Sequence, residues 1–194
     1  MKLSVQQLQR VYDPTDPNTP LKLQKVTNSI IEQIDALAKI ANEFSSFAKM
    51  PRPNEMKLDL LPILENVVEV FKEGKCTLKI STELSTCEVM AEKDLMLRVF
   101  NNLIKNAIQS TQNEANGRVE IDIRQEEKNY LFSFKDNGIG ISEEKHSKIF
   151  VPYFTTKSTG TGLGLAMVKQ TIENHRGKIW FESVENEGTT FYFT

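Results

Sequence analysis

The chain has 194 residues, with 24 Lys+Arg against 26 Asp+Glu and 39% hydrophobic residues. Such a length fits one full domain with an appendage or two small domains, and a formal net charge of -2 builds no long-range field for a nucleic-acid or membrane surface. No run approaches the roughly 18 apolar residues that spanning a bilayer needs, and the N-terminus lacks a signal peptide's apolar stretch, so the chain reads as soluble.

Between Met1 and Tyr12, the residues Leu3, Val5, Leu8, Val11 and Tyr12 partly fit a helix with no capping residue in front of it, like the end of a longer one. Residues Asp13 to Pro20 hold Pro14, Pro17 and Pro20; proline removes a donor and fixes φ, so this stretch is predicted as a loop. From Leu21 to Met50, Leu23, Val26, Ile30, Ile34, Leu37, Ala41, Phe44 and Ala48 recur at steps of three or four, which is one face of a helix about eight turns long. One helix of that length cannot bury its own stripe: packing on the neighbouring domain is the plainer solution and a homodimeric bundle the expected one. Met50-Pro51-Arg52-Pro53 ends it, because the residue before a proline leaves the α region. The expected organisation is a partial helical hairpin over 1–50, a linker over 51–56 and a second domain over 57–194.

That second domain is predicted as α+β. Met56 to Leu60 reads as a short strand, and Pro62 suits the first turn of a helix running to Phe71. Thr77 to Ser81 and Cys87 to Met90 are short strands, and Leu95, Val99, Leu103 and Ala107 put Lys93 to Ser110 in a helix. Arg118 to Arg124 and Tyr130 to Phe134 alternate as half-buried strands. After a glycine-punctuated stretch come a helix from Leu165 to Asn174 and a final strand pair, Lys178 to Ser183 and Thr189 to Phe193, around Asn186, Glu187 and Gly188. Interleaving without a regular β-α-β rhythm predicts a two-layer sandwich, with helices on one face of a mostly antiparallel or mixed sheet. Cys76 and Cys87 have no metal-ligand spacing, and two histidines leave little material for a zinc site, so both thiols read as reduced and structural.

Four constellations carry chemistry. Asn102 and Asn106 lie four apart on the long helix beside Lys105; carboxamide oxygens are hard neutral ligands for magnesium and a lysine meets phosphate as a point charge, although two surface asparagines give the same spacing. Asp136-Asn137-Gly138-Ile139-Gly140 follows a strand. There an aspartate can accept from an exocyclic amine and glycines admit a flat ligand, and an ordinary Asp-Asn-Gly turn is the plainer reading. Gly160-Thr161-Gly162-Leu163-Gly164 leads into a helix N-terminus, an anion site, without a Walker lysine or a dinucleotide fingerprint. Ile141 to Thr159, holding Phe150, Phe154 and Lys157, is long enough to be a mobile lid or a satellite apolar cluster.

Taken in this order, the motifs resemble the ATP-binding domain of the GHKL superfamily (the Bergerat fold), most closely that of sensor histidine kinases: N box Asn102 to Asn106, G1 box Asp136 to Gly140, F box Phe150 to Phe154, G2 box Gly160 to Gly164, and a terminal Gly188-Thr189-Thr190. The resemblance implies ATP and magnesium as ligands. It implies that Asn106 coordinates the metal with Asn102 and Lys105 near the phosphates, that Lys157 is among the nucleotide-binding residues, and that Lys105 and Asn106 are the catalytic pair. Asp136 would hold the adenine amino group, supported through water by Thr189 or Thr190, with Gly138, Gly140 and Ile141 lining the pocket. Gly160, Thr161, Gly162, Leu163 and Gly164 would close the phosphate end, and Phe150 and Phe154 would anchor the lid.

Met1 to Arg10 and Asn42 to Pro51 further resemble the dimerisation helices of nitrogen-regulation-type kinases. That likeness implies a cytoplasmic kinase module of a two-component system, dimeric through its helical hairpin, with a response-regulator receiver domain as partner. It also places the phosphoacceptor histidine before Met1, so the chain is expected not to phosphorylate itself on the family's site. Of the histidines present, His146 reads as a solvated loop residue and His175 as a helix C-terminal residue favoured by the dipole. The alternatives are a GHKL-type serine kinase and a non-catalytic nucleotide-binding or dimerisation module.

Overall fold

The computed structural model describes residues 15–48, 53–72, 74, 76–111, 116–157 and 160–194. The chain forms two compact units, residues 1–50 and 51–194. In the first, helix α1 (Thr19–Ala48) opens on a local lock. The Asp16 carbonyl accepts from the Thr19 N–H at 3.0 Å, while the Asp16 carboxylate accepts from the Asn18 N–H at 2.8 Å and pairs with Lys22 Nζ at 2.7 Å. The helix therefore starts inside the expected loop: Pro20 lies in its first turn, where the N–H that proline lacks has no intrahelical partner anyway. Ile34, Leu37 and Phe44 of the apolar stripe are 47%, 49% and 50% exposed. The expected helix over Met1 to Tyr12 and the stop at Met50 to Arg52 lie outside the described residues. No described helix is long and apolar enough to cross a membrane.

The second unit begins with β1 (Met56–Asp59), α2 (Leu60–Phe71), β2 (Thr77–Thr82), β3 (Glu88–Ala91) and α3 (Lys93–Ser110). It continues with β4 (Arg118–Glu126), β5 (Asn129–Asp136), the single-turn α4 (Glu143–His146), α5 (Gly164–Asn174), β6 (Ile179–Val184) and β7 (Gly188–Phe193). A five-stranded sheet runs in the order β2-β4-β5-β7-β6, and β1 and β3 form a separate antiparallel ribbon. Among the described residues only the β2–β4 pairing is parallel, so the sheet is mixed, as the irregular rhythm of the sequence predicts. Asp59 joins the ribbon to α2: its Oδ1 accepts from the Leu61 N–H at 3.1 Å as an N-cap and from the Cys87 N–H at 2.9 Å. Burial beside that carboxylate pushes the Cys87 thiol up to about 12, which keeps it neutral. Both cysteines are buried and free.

Strand alternation sets the layers. Val119, Ile121 and Ile123 are fully buried while Glu120, Asp122 and Arg124 face out. Leu64 and Val67 of α2, Phe100, Leu103 and Ile104 of α3, and Val168 and Ile172 of α5 join them in one core. At its centre Phe100 packs 5.9 Å from Phe132 and 6.3 Å from both Phe134 and Phe193. One face of the sheet is therefore covered by helices. This fixes α3 over β5 and β7, so that the C-terminal turns of α3 meet the end of β5.

Candidate functional site

On α3, Asn102, Asn106 and Gln109 are spaced by four and three and share a face. Lys157, arriving from the segment after Phe154, donates its Nζ to Asn106 Oδ1 at 3.0 Å and to Gln109 Oε1 at 2.7 Å. Burial holds the Lys157 ammonium below the ordinary lysine range, the nearby Lys105 lowers it further, and the charge of Asp136 acts against both. Two carboxamide oxygens thus converge on one cation, with a second positive charge beside it. Such neutral oxygens, here seated on an ammonium as a stand-in, suit a divalent cation that arrives with its own phosphate ligands. Among the described residues no group of three His, Cys, Asp or Glu is placed to hold a metal by itself.

One turn further along, α3 ends at Ser110 against the end of β5. Asp136 is 3% exposed there, and its Oδ1 accepts from the Gly138 N–H at 2.9 Å. The Ser110 hydroxyl, 2.7 Å from the Ala107 carbonyl, and the Thr189 N–H also face the carboxylate. Burial raises the Asp136 carboxyl above the ordinary 3.8, and the Gly138, Ser110 and Thr189 hydrogen bonds together with the Lys157 charge oppose that rise. Asp136 forms no ion pair among the described residues, so it is a buried acceptor rather than half of a salt bridge. Asn137 is structural: its Oδ1 accepts from the Arg118 N–H at 2.8 Å and its Nδ2 donates to the Asn116 carbonyl at 3.0 Å.

The glycines answer to packing within the domain. Gly140 has φ +64, and a Cβ there would stand 2.1 Å from the Val184 carbonyl oxygen. Gly162 has φ +71, and its Cβ would meet the Tyr153 carbonyl carbon at 2.5 Å. A side chain at either position costs both a strained backbone and a clash. Gly138 lies equally close to Ser110, and Gly164 to Asn102 Oδ1, so the glycine segments and α3 touch each other.

Register decides between the two terminal threonines. Thr189 pairs with Asp136, is buried, and its Oγ1 lies 2.8 Å from Ser183 Oγ. Thr190 pairs with Lys135 on the opposite face of the sheet, away from Asp136, so the structure brings Thr189 to the site and leaves Thr190 out. Ser183, unremarked in the sequence, accepts from the Ile141 N–H at 2.9 Å and donates to the Gly188 carbonyl at 3.0 Å. It ties the start of the lid segment to β7.

The segment from Ile141 onward, expected as a loop, contains α4 and a run of turns. His146 is half-buried rather than fully solvated. It lies edge-on to Phe181 at 5.0 Å, and its Nε2, 3.0 Å from the Ile141 carbonyl, carries the proton of that hydrogen bond. Phe150 packs edge-on to Phe181 and Phe191 at 6.1 and 6.3 Å, and Phe154 is half-buried against the same core. Beyond them Thr155 Oγ1 accepts from the Lys157 N–H at 3.1 Å, and the Lys157 carbonyl from the Gly160 N–H at 3.2 Å. Thr161 is half-buried, while the side chain of Leu163 is fully buried, so that only its backbone can face a ligand ahead of α5. His175 stands at the C-cap of α5, as its position in the sequence predicts; its Nδ1–H donates to the Thr171 carbonyl at 2.7 Å, and its Nε2 accepts from the Glu92 N–H at 3.2 Å, which links α5 to the start of α3.

Residues 91–194 match the model of the histidine kinase-, DNA gyrase B- and HSP90-like ATPase family. The chain belongs to this ATPase family. Within it, nitrogen regulation protein NtrY of Azorhizobium caulinodans is 27% identical over 185 residues, covering 92% of this chain and 24% of NtrY. The chain thus spans about a quarter of that relative's length. The catalytic domain of histidine kinase ThkA, in a nucleotide-free form, is 33% identical with a TM-score of 0.65, over 72% of this chain and 93% of that one. ThkA in complex with response regulator protein TrrA aligns at 26% identity and a TM-score of 0.71, over 99% of this chain and 55% of ThkA. The ATPase domain of this chain therefore has the sandwich of a sensor histidine kinase catalytic domain, and the five motifs read from the sequence lie around one end of α3.

Proposed function

We propose that residues 57–194 bind ATP with magnesium and pass its γ-phosphate to a histidine outside this domain, as the catalytic unit of a two-component sensor histidine kinase. One observation carries this reading: a buried aspartate of β5, without an ion pair among the described residues, stands against the end of α3, with a cation-holding pair of carboxamides one turn back on that helix. Asp136 accepts from the adenine amino group, with Thr189 beside it, while Gly138, Gly140 and Ile141 line the base. Asn102, Lys105 and Lys157 meet the phosphates, Asn106 is the protein's ligand to the metal, and the backbone from Gly160 to Gly164 faces the anionic end ahead of α5. Phe150 and Phe154 hold the lid to the core. Magnesium, when bound, neutralises charge on the phosphate oxygens. The chain itself positions the nucleotide, excludes water with the lid and stabilises the developing charge with Lys105.

The half-exposed stripe of Ile34, Leu37 and Phe44 supports pairing of α1 with a second copy of the chain. The ThkA complex supports a receiver domain as the phosphoryl acceptor downstream, and a cytoplasmic location goes with that reading. Relatives and solved structures named as histidine kinases do not favour the serine-kinase reading or a purely structural module.

The reaction is tested by incubating the chain, ATP labelled at the γ-phosphate and magnesium with a helical hairpin bearing a phosphoacceptor histidine, taken from ThkA. Acid-labile label on the hairpin and none on the chain alone is expected. Acid-stable label on a serine would replace this reading with the serine-kinase one.

Acidity separates binding from folding at Asp136. Because its folded-state pKa lies above the ordinary 3.8, its contribution to stability is present below the unfolded value and is lost as pH rises through the folded one. Nucleotide binding uses the ionised acceptor and runs the other way. Affinity for an adenine nucleotide is expected to fall on acidification before an ordinary aspartate would titrate. Calorimetric titrations and thermal melts over the same acid range read the two trends, and parallel losses in both would remove Asp136 as their cause.

A further inference from the structure

Lys157 reaches 51 residues back along the chain to Asn106 and 48 back to Gln109. Burial and the nearby Lys105 both disfavour its charge, so its position rests on the two carboxamide oxygens and on the field of Asp136. Its backbone is held by Thr155 Oγ1, which accepts from its N–H at 3.1 Å, and by the Gly160 N–H, which donates to its carbonyl at 3.2 Å. Asn106 Oδ1 is thus already committed to a cation. The same oxygen cannot serve an ammonium and a divalent ion together without bringing the two charges within about 4 Å of each other in a half-buried place.

We propose that Lys157 is an internal stand-in for the metal: it occupies Asn106 and Gln109 in the nucleotide-free domain and must leave them before magnesium binds, so that the lid and the metal compete for one carboxamide. This rests on the nucleotide reading above and adds a rule to it. The metal enters only with a ligand whose phosphates give Lys157 a new partner. A diphosphate offers fewer such oxygens than a triphosphate, so the competition is felt most with ADP.

The test is calorimetric titration of ADP at graded magnesium concentrations into the wild-type chain, Lys157→Met and Gln109→Ala, each checked for folding by circular dichroism. With the competing charge removed, Lys157→Met is expected to need roughly three- to tenfold less magnesium for half-maximal enhancement of ADP binding. Gln109→Ala, which loosens Lys157 without removing its charge, moves the same way by a smaller factor and decides the matter if the methionine variant does not fold. Unchanged or higher magnesium requirements in the folded variants would overturn the competition, leaving Lys157 as a phosphate ligand only. Wild-type chain that binds no nucleotide at any magnesium concentration would refute the nucleotide reading and this inference with it, an outcome visible before any variant is compared.

Discussion

Replacing Asp136 by asparagine is expected to weaken adenine-nucleotide binding about a hundredfold with a thermal melt close to wild type. Asparagine has nearly the same volume and keeps an oxygen for the Gly138 N–H, which Asp136 Oδ1 accepts at 2.9 Å. The remaining position changes from acceptor to donor. It would then face the amino group of the base, and two donors opposed in a site where the side chain is 3% exposed cost about 2–4 kcal/mol, which spans a hundredfold in affinity. Calorimetry of the variant with an ATP analogue reads the loss directly. Affinity within a factor of a few of wild type would mean that the base sits elsewhere and that Asp136 only closes the β5 turn.

Asn106→Ala separates the metal from the base. The variant is expected to keep metal-free nucleotide binding and to lose the increment that magnesium adds, about tenfold or more by analogy with the loss of one oxygen from a small coordination set. Alanine is the best helix former, and Asn106 is only half-buried, so α3 should tolerate the change. Lys157 keeps Gln109 as a partner at 2.7 Å, so the lid need not come loose. The same magnesium dependence in the variant as in the wild type would remove Asn106 as the ligand.

The elements of the domain were legible because their patterns are local. Leu95, Val99, Leu103 and Ala107 fall in register over α3, and the structure buries all four, with Phe100 and Ile104 completing the face. Where the reading stopped short, the cause lay outside the local pattern. Proline at the second position of α1 reads as a breaker in the sequence, but the first turn needs no N–H there. Thr189 and Thr190 are equivalent in a string of letters. Only pairing with β5 separates them, since neighbouring residues on a strand point to opposite faces. His175 takes its role from Glu92, 83 residues away, and His146 from packing on Phe181, so neither partner is visible from composition or spacing.

Gln109 is the instructive omission at the candidate site. Its spacing from Asn106 puts it on the same helical face, a signal present in the sequence, but a carboxamide three residues on is ordinary on any helix. What gives it meaning is Lys157 arriving from the far side of the lid segment. Ser183 is similar: a serine in an alternating strand says nothing until its hydroxyl is found between the Ile141 N–H and the Gly188 carbonyl. The motifs themselves were legible because each needs glycine or carboxamide at fixed spacing. Their convergence on one end of α3 follows from the sheet order and from the packing of that helix over β5 and β7.

The most direct measurement is a calorimetric titration of the wild-type chain with a non-hydrolysable ATP analogue, with and without magnesium. Saturable one-site binding that tightens when magnesium is added is the predicted result. It would place base recognition and the carboxamide metal ligand in one working pocket. Absence of binding at high analogue concentration by a folded chain would contradict the account at its centre, leaving the buried Asp136 and the Lys157 contacts as structural features of a domain that has kept the fold without the ligand.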